Sequence, residues 1–130
     1  EHDLLFIEGQ GSLLHPGSTA TLPLIRGSQP TALILVHRFG QKHIRDFPEI
    51  LIPPLADVVH LYETVAHGAG SFADVKIKAI ALNTFHLDTD SAKAAIEQVQ
   101  KTTGLPCNDV VRFGADLLLE KLGALRLGQK

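Results

Sequence analysis

Residues 3–18 read DLLFIEGQGSLLHPGS. Leu4–Leu5–Phe6–Ile7 is a continuous apolar run, the pattern of a parallel strand covered on both faces. It leads straight into an acid, Glu8, and then into Gly9, Gln10, Gly11 and Ser12. Ligands of open α/β sheets bind beyond the carboxyl ends of the strands. An apolar strand that ends in an acid there is the physical pattern of a Walker B element, whose carboxylate holds a magnesium ion against nucleotide phosphates. Many ordinary strands also end in an acid. The two glycines strengthen the ligand reading, because without a Cβ their backbone amides can turn toward a bound group.

Two further apolar runs match the first. Thr31–Val36 (TALILV) enters through Gln29–Pro30, and Val75–Leu82 (VKIKAIAL) carries Lys76 and Lys78 in its first half, which places it near a sheet edge or a strand end. Helical periodicity fills the intervals. Pro54–Ala66 gathers Leu55, Val58, Val59, Tyr62, Val65 and Ala66 on one face and stops at Gly68. Ser91–Thr103 stripes Ala92, Ala95, Ile96 and Val99, with Asp90 as the expected N-cap and Gly104 and Pro106 as the stop. A last helix is expected over Ala115–Leu122, and a short one within Thr19–Arg26 if Pro23 falls in its first turn. Residues 38–53 read as a surface connection, with Glu49–Ile52 extended. Alternating strands and helices predict an α/β fold with a mainly parallel sheet and helices on both faces. Residues 1–130 read as one such domain.

Composition sets the outer limits. The 130 residues are 45% hydrophobic and 20% charged with a net charge of -2, which suits a soluble globular domain. It gives no electrostatic reason to expect nucleic acid or an anionic membrane as partner. No apolar stretch is long enough to span a bilayer. The single cysteine, Cys107, can form no internal disulfide, which suits a cytoplasmic location. The absence of methionine, together with a strand at the very start, is read as a piece of a longer polypeptide. No G-x-x-x-x-G-K-[ST] or G-x-G-x-x-G occurs. A phosphate-cradling loop and a smaller N-terminal domain are therefore expected upstream of Glu1, with this chain as the distal part of the α/β domain. A homo-oligomer is compatible with the pattern but not specified by it.

Several polar residues sit where chemistry is expected. His15 precedes Pro16–Gly17 on a loop, where it would serve as a general base or a substrate ligand; a loop histidine bonded to backbone is the plain alternative. His37 closes the second strand beside Arg38, and with Lys42 could form an anion site or simply a solvated cluster. Asn83 ends the third strand, where its amide could read a purine edge or cap a turn. The seven histidines show no H-x-x-x-H or H-x-H spacing, so zinc is not expected. Arg112 could clamp a carboxylate bidentately or pair with Asp109 or Asp116.

With these residues assembled, DLLFIEGQGSLLHPG, GSQPTALILVH, IALNT and TGLPCNDVVRFGADLLLEKL together resemble the C-terminal domain of the D-glutamate N-acetyltransferase-like family. The resemblance implies a P-loop-type α/β fold related to dethiobiotin synthetases. It also implies transfer of an acetyl group from acetyl-CoA to the amino group of an acidic amino acid, a small-molecule substrate. By motif position, Glu8 or His15 would take the ammonium proton. The amides of Gly9, Gln10, Gly11 and Ser12 would hold the tetrahedral oxyanion. His37, Asn83 and Arg112 complete the expected binding set. An ATP- and Mg-dependent ligase or kinase-like enzyme, with Glu8 as the metal ligand, is the second reading, and a non-catalytic nucleotide-binding regulatory module the third.

Overall fold

The computed structural model describes residues 4–123. In chain order its elements are α1 (Thr21–Ser28), β1 (Leu33–Arg38), β2 (His43–Ile44), β3 (Phe47–Leu51) and α2 (Leu55–His67), followed by a 3₁₀ turn over Gly68–Gly70. Next come β4 (Ile77–Asn83), α3 (Thr89–Thr103), β5 (Cys107–Asn108), α4 (Val110–Phe113) and α5 (Asp116–Lys121). The chain divides into two compact units. One holds the described residues up to Thr31 with Gln41–Lys76, and the other Ala32–Gly40 with the described residues from Ile77 onward.

The second unit carries a three-stranded parallel sheet in the order β1-β4-β5, with α3 packed on β5 and α5 on β4 and β5. Its core is built from Leu35, Ile77, Ala79, Ile80, Leu82, Ala92, Ala95, Ile96, Val99, Cys107 and Leu118, all buried. Burying each large side chain among these contributes roughly 1.5–3 kcal/mol. The α3 stripe read from the sequence is the face that is buried. Its N-cap is Asp88 rather than Asp90, because the Asp88 carboxylate accepts from the amides of Asp90 and Ser91 and from the Ser91 hydroxyl. At the other end Gly104, at φ +71°, closes the helix by donating its amide to the Gln100 carbonyl at 2.8 Å. The strand that carries Lys78 is the central one. Lys76 lies just before β4 and Lys78 near its start, so the lysines mark a strand end and not a sheet edge.

In the first unit α1 packs against α2, and β2 and β3 form a short antiparallel hairpin. That hairpin gives the expected extended stretch a partner, tied further by the Ile52 amide to the Lys42 carbonyl at 2.9 Å. Pro23 is the third residue of α1, where its missing amide hydrogen costs nothing. Gly68 ends α2 in the left-handed region at φ +57°, and a Cβ there would run into the Phe72 ring. Phe72 is in turn covered by the Arg26 guanidinium, 4.8 Å above its centroid.

One expectation fails outright. Leu4–Ile7 is not a strand: it pairs with none of the described strands, and all four side chains are exposed, Leu5 at 73%. An apolar run becomes a buried strand only when neighbours supply both a hydrogen-bonding edge and two covering faces. Neither is present among the described residues. No helix among them is long and apolar enough to cross a membrane.

Candidate functional site

The loop after Ile7 is held by its own short polar side chains. The Ser18 hydroxyl accepts the Ser12 amide at 3.2 Å and shares a 2.6 Å hydrogen bond with the Thr21 hydroxyl. Thr21 reaches the Gln10 carbonyl at 3.3 Å. The Tyr62 hydroxyl on α2 accepts the Leu13 amide at 3.1 Å, and the Ser12 hydroxyl accepts the Leu14 amide at the same distance. Gly11 is needed here for its backbone conformation, and Gly9 leaves room for the end of the Leu24 side chain. A Cβ on Gly9 would overlap the Leu24 side chain, and one on Gly11, at φ +96°, would overlap Ser18. Ser18, Thr21 and Tyr62 were not singled out from the sequence; the hydroxyl-rich GSTAT run was the available signal.

This stitching sorts the predicted residues. The Ser12 amide is spent internally, whereas those of Gly9, Gln10 and Gly11 meet no acceptor among the described residues. Glu8 is exposed and carries no hydrogen bond or ion pair among them. His15 is half-buried, its ring edge-on to Phe47 with centroids 5.2 Å apart, and its Nδ1 accepts the Gly17 amide at 3.0 Å. With Nδ1 accepting, the neutral ring carries its proton on Nε2.

The second unit presents the carboxyl edge of the parallel sheet. Here Asp109, a buried carboxylate, takes four hydrogen bonds: Oδ2 from the Thr84 amide and hydroxyl, Oδ1 from the amides of Val111 and Arg112. Burial pushes this carboxyl up, but the bonds from Thr84, Arg112 and Val111 outweigh that and hold it below the usual carboxylate range. Arg112 donates one guanidinium nitrogen to the carbonyls of Thr84, Phe85 and Leu87, with Nε 3.8 Å from Asp109. That nitrogen is spent on the chain itself, clamping the loop after β4. Asn83 is exposed and forms a turn, its Oδ1 accepting the Phe85 amide at 3.0 Å. His37, half-buried in β1, is pushed down from 6.5 by desolvation. The Cys107 thiol is buried and pushed up to about 12 by burial and by the Asp109 charge, so it is no nucleophile.

The structure thus places Glu8, Gly9, Gln10, Gly11, Ser12 and His15 in one unit, and His37, Asn83 and Arg112 in the other. Among the described residues no three His, Cys, Asp or Glu side chains gather as a metal site. Glu8 would offer magnesium a single carboxylate, the rest of the coordination coming from nucleotide phosphates and water.

The comparisons agree on a family. A family model described as "Domain of unknown function (DUF1611_C) P-loop domain" matches residues 1–119. A protein of Tritonibacter scottomollicae named D-glutamate N-acetyltransferase is 39% identical over 120 residues, which is 92% of this chain and 35% of that protein. A protein of the same name from a Pseudoalteromonas species is 32% identical over 117 residues, 89% of this chain and 35% of its own length. The chain thus spans about a third of the curated relatives it matches. A crystal structure of a DUF1611 family protein from Anabaena variabilis superposes with a TM-score of 0.88 at 64% identity, covering 90% of this chain and 34% of that one. An α/β architecture with a parallel sheet flanked by helices is what a P-loop domain requires, and the chain belongs to the DUF1611 P-loop domain family.

Proposed function

We propose that the protein to which this chain belongs is an N-acetyltransferase that moves an acetyl group from acetyl-CoA to the amino group of an acidic amino acid, D-glutamate. The observation that carries this reading is the name shared by two relatives, at 39% and 32% identity across nearly the whole chain. The glycine loop supplies groups suited to the chemistry. Glu8, a carboxylate with no partner among the described residues, takes a proton from the substrate ammonium. The freed amine attacks the thioester carbonyl, forming the C–N bond, and the unspent amides of Gly9, Gln10 and Gly11 receive the oxyanion. The C–S bond then breaks as the nitrogen sheds its second proton, which the departing thiolate takes up. His15 acts through its Nε2 hydrogen, as a donor to a substrate oxygen rather than as the base.

A second reading, an ATP- and Mg-dependent ligase or kinase-like enzyme, is favoured by one observation: the matched family model is a P-loop domain. One experiment separates the two. The full-length protein is incubated with D-glutamate and acetyl-CoA in EDTA without ATP, and N-acetylglutamate is followed by mass spectrometry. Product formation supports acetyl transfer. Turnover that appears only with ATP and magnesium would replace it with the second reading.

A further inference from the structure

The loop that carries the proposed oxyanion donors is held by a chain of hydroxyls whose direction the geometry fixes. The Ser12 amide donates to Ser18 Oγ at 3.2 Å, Ser18 Oγ lies 2.6 Å from Thr21 Oγ1, and Thr21 Oγ1 lies 3.3 Å from the Gln10 carbonyl. A carbonyl only accepts, so the Thr21 hydrogen goes to Gln10. The contact between the two hydroxyls is then a bond donated by Ser18. One placement of hydrogens satisfies all three contacts, and it runs one way, from the Ser12 amide through Ser18 and Thr21 to the Gln10 carbonyl. Hydrogen bonds aligned head to tail polarise one another.

The chain begins and ends on the two peptide groups that flank Gly11. The Gln10 carbonyl and the Gly11 amide belong to one peptide plane, and in a trans peptide they point in opposite directions. Thr21 therefore turns the Gly11 N–H away from itself. By drawing electron density to the Gln10 oxygen it also makes that N–H a stronger donor. The Ser12 amide, anchored on Ser18, fixes the second plane. Gly11 is exposed, stands at φ +96°, and its amide meets no acceptor among the described residues. A Cβ there would collide with both hydroxyls, so the glycine lets them close over the backbone.

Serving helix α1 does not account for these hydroxyls. Ser18 and Thr21 flank its start, where a serine or threonine ordinarily caps the first amides. The N-cap is instead Ala20, which offers no capping oxygen, and the buried Thr21 hydroxyl reaches back eleven residues to Gln10. A donor fixed in place before reaction stabilises developing charge most effectively, because nothing need reorganise. We propose that Ser18 and Thr21 are positioning residues for acetyl transfer: their hydroxyls aim and polarise the Gly11 amide, which receives the oxyanion. This inference rests on the proposed function for the reaction and on the loop geometry for the residues.

The test uses the full-length protein and single-turnover acetyl transfer from acetyl-CoA to D-glutamate, followed by mass spectrometry. Thr21→Val keeps the side-chain shape and removes the hydroxyl. It and Ser18→Ala are expected to slow the saturated rate about tenfold, less than outright loss of an oxyanion donor, because the Gly11 amide remains. Half-saturation by either substrate should be unchanged, since the amide acts on charge that exists only in the transition state. Thr21→Ser, which keeps the hydroxyl, should restore the rate. Labelling glutamine carbonyls with ¹³C and glycine with ¹⁵N reads the Gln10–Gly11 peptide by NMR, the single Gln-Gly pair in this chain. Both of its resonances should move in Thr21→Val. A wild-type rate in Thr21→Val and Ser18→Ala overturns the proposal. So does a loss confined to substrate half-saturation, a Thr21→Ser protein as slow as Thr21→Val, or unmoved Gln10 and Gly11 resonances. Each of these leaves wild-type acetyl transfer, and so the proposed function, standing. A wild type that makes no N-acetylglutamate instead sinks the proposed function, and this role with it.

Discussion

Asp109 shows how much one buried carboxylate can organise. It joins the end of β4 to the start of α4 through four hydrogen bonds, so replacing it strands several donors at once. Asp109→Ala is expected to cost about 3 kcal/mol in urea unfolding, because the buried Thr84 amide and hydroxyl lose their acceptor. Asp109→Asn, which keeps one acceptor oxygen but turns an amide NH2 toward the other pair of donors, should cost about 2 kcal/mol. Equal losses in the two variants would show that the carboxylate geometry is not what matters. His37 gives a pH signature of its own. Its folded value lies below 6.5, so as pH falls through that region the unfolded chain binds a proton that the folded chain resists. Stability is therefore full near neutrality and declines below about pH 6.5. Asp109, also depressed, contributes a further loss in the same direction, but only in the range below its ordinary value of 3.8. Thermal melts between pH 7 and 5 should show the His37 decline in the wild type and a flatter profile in His37→Gln. At this scale the sequence offered Arg112 a substrate carboxylate or a pairing with Asp109 or Asp116, and the structure sets its Nε 3.8 Å from Asp109. The sequence could not announce Thr84, because whether a hydroxyl is buried against a carboxylate depends on a contact 25 positions away.

Elements were legible where a local rule and the tertiary environment agree. The helical stripes of α2 and α3 and the glycine stops at Gly68 and Gly104 follow from periodicity and left-handed caps, which need no distant partner. The N-cap of α3 shifted by two residues because Asp88 and Asp90 are chemically alike, and only backbone geometry selects the one that lies outside the helix. Asp88→Ala is expected to lower stability by about 1 kcal/mol, while Asp90→Ala should cost no more than a few tenths. Paired denaturation curves test this, and the reverse ordering would return the cap to Asp90. The short helix α4 was missed because four residues are too few to show a period. Strand β1 was read correctly from TALILV, and the near-identical run Leu4–Ile7 was not, although both are continuous and apolar. The difference lies in the partners. β1 has the six-residue register of β4 beside it, while Leu4–Ile7 has no described strand to pair with.

The whole molecule then carries an imbalance that neither scale reveals alone. Leu4, Leu5, Phe6 and Ile7 are all exposed, and β1 leaves Val36 74% exposed on the sheet face that continues to Arg38. Scattered exposed apolar residues are ordinary, but four consecutive ones form a contiguous patch, and such patches mark surfaces that bind something. The family places a P-loop domain in proteins about three times as long as this chain, so apolar surface left bare here has protein available to meet it in those relatives. That argument yields a measurable consequence for the 130-residue chain on its own. It is expected to bind the dye ANS strongly and to self-associate at micromolar concentration, because burying this run in a second copy removes the same surface from water. Replacing Leu5 and Phe6 together with serine should lower dye fluorescence and shift light scattering toward monomer. The melting temperature should not move, since neither side chain is packed in the described fold. A double variant that melted well below the parent chain would show instead that Leu4–Ile7 is part of the core, and would restore the buried strand expected from the sequence.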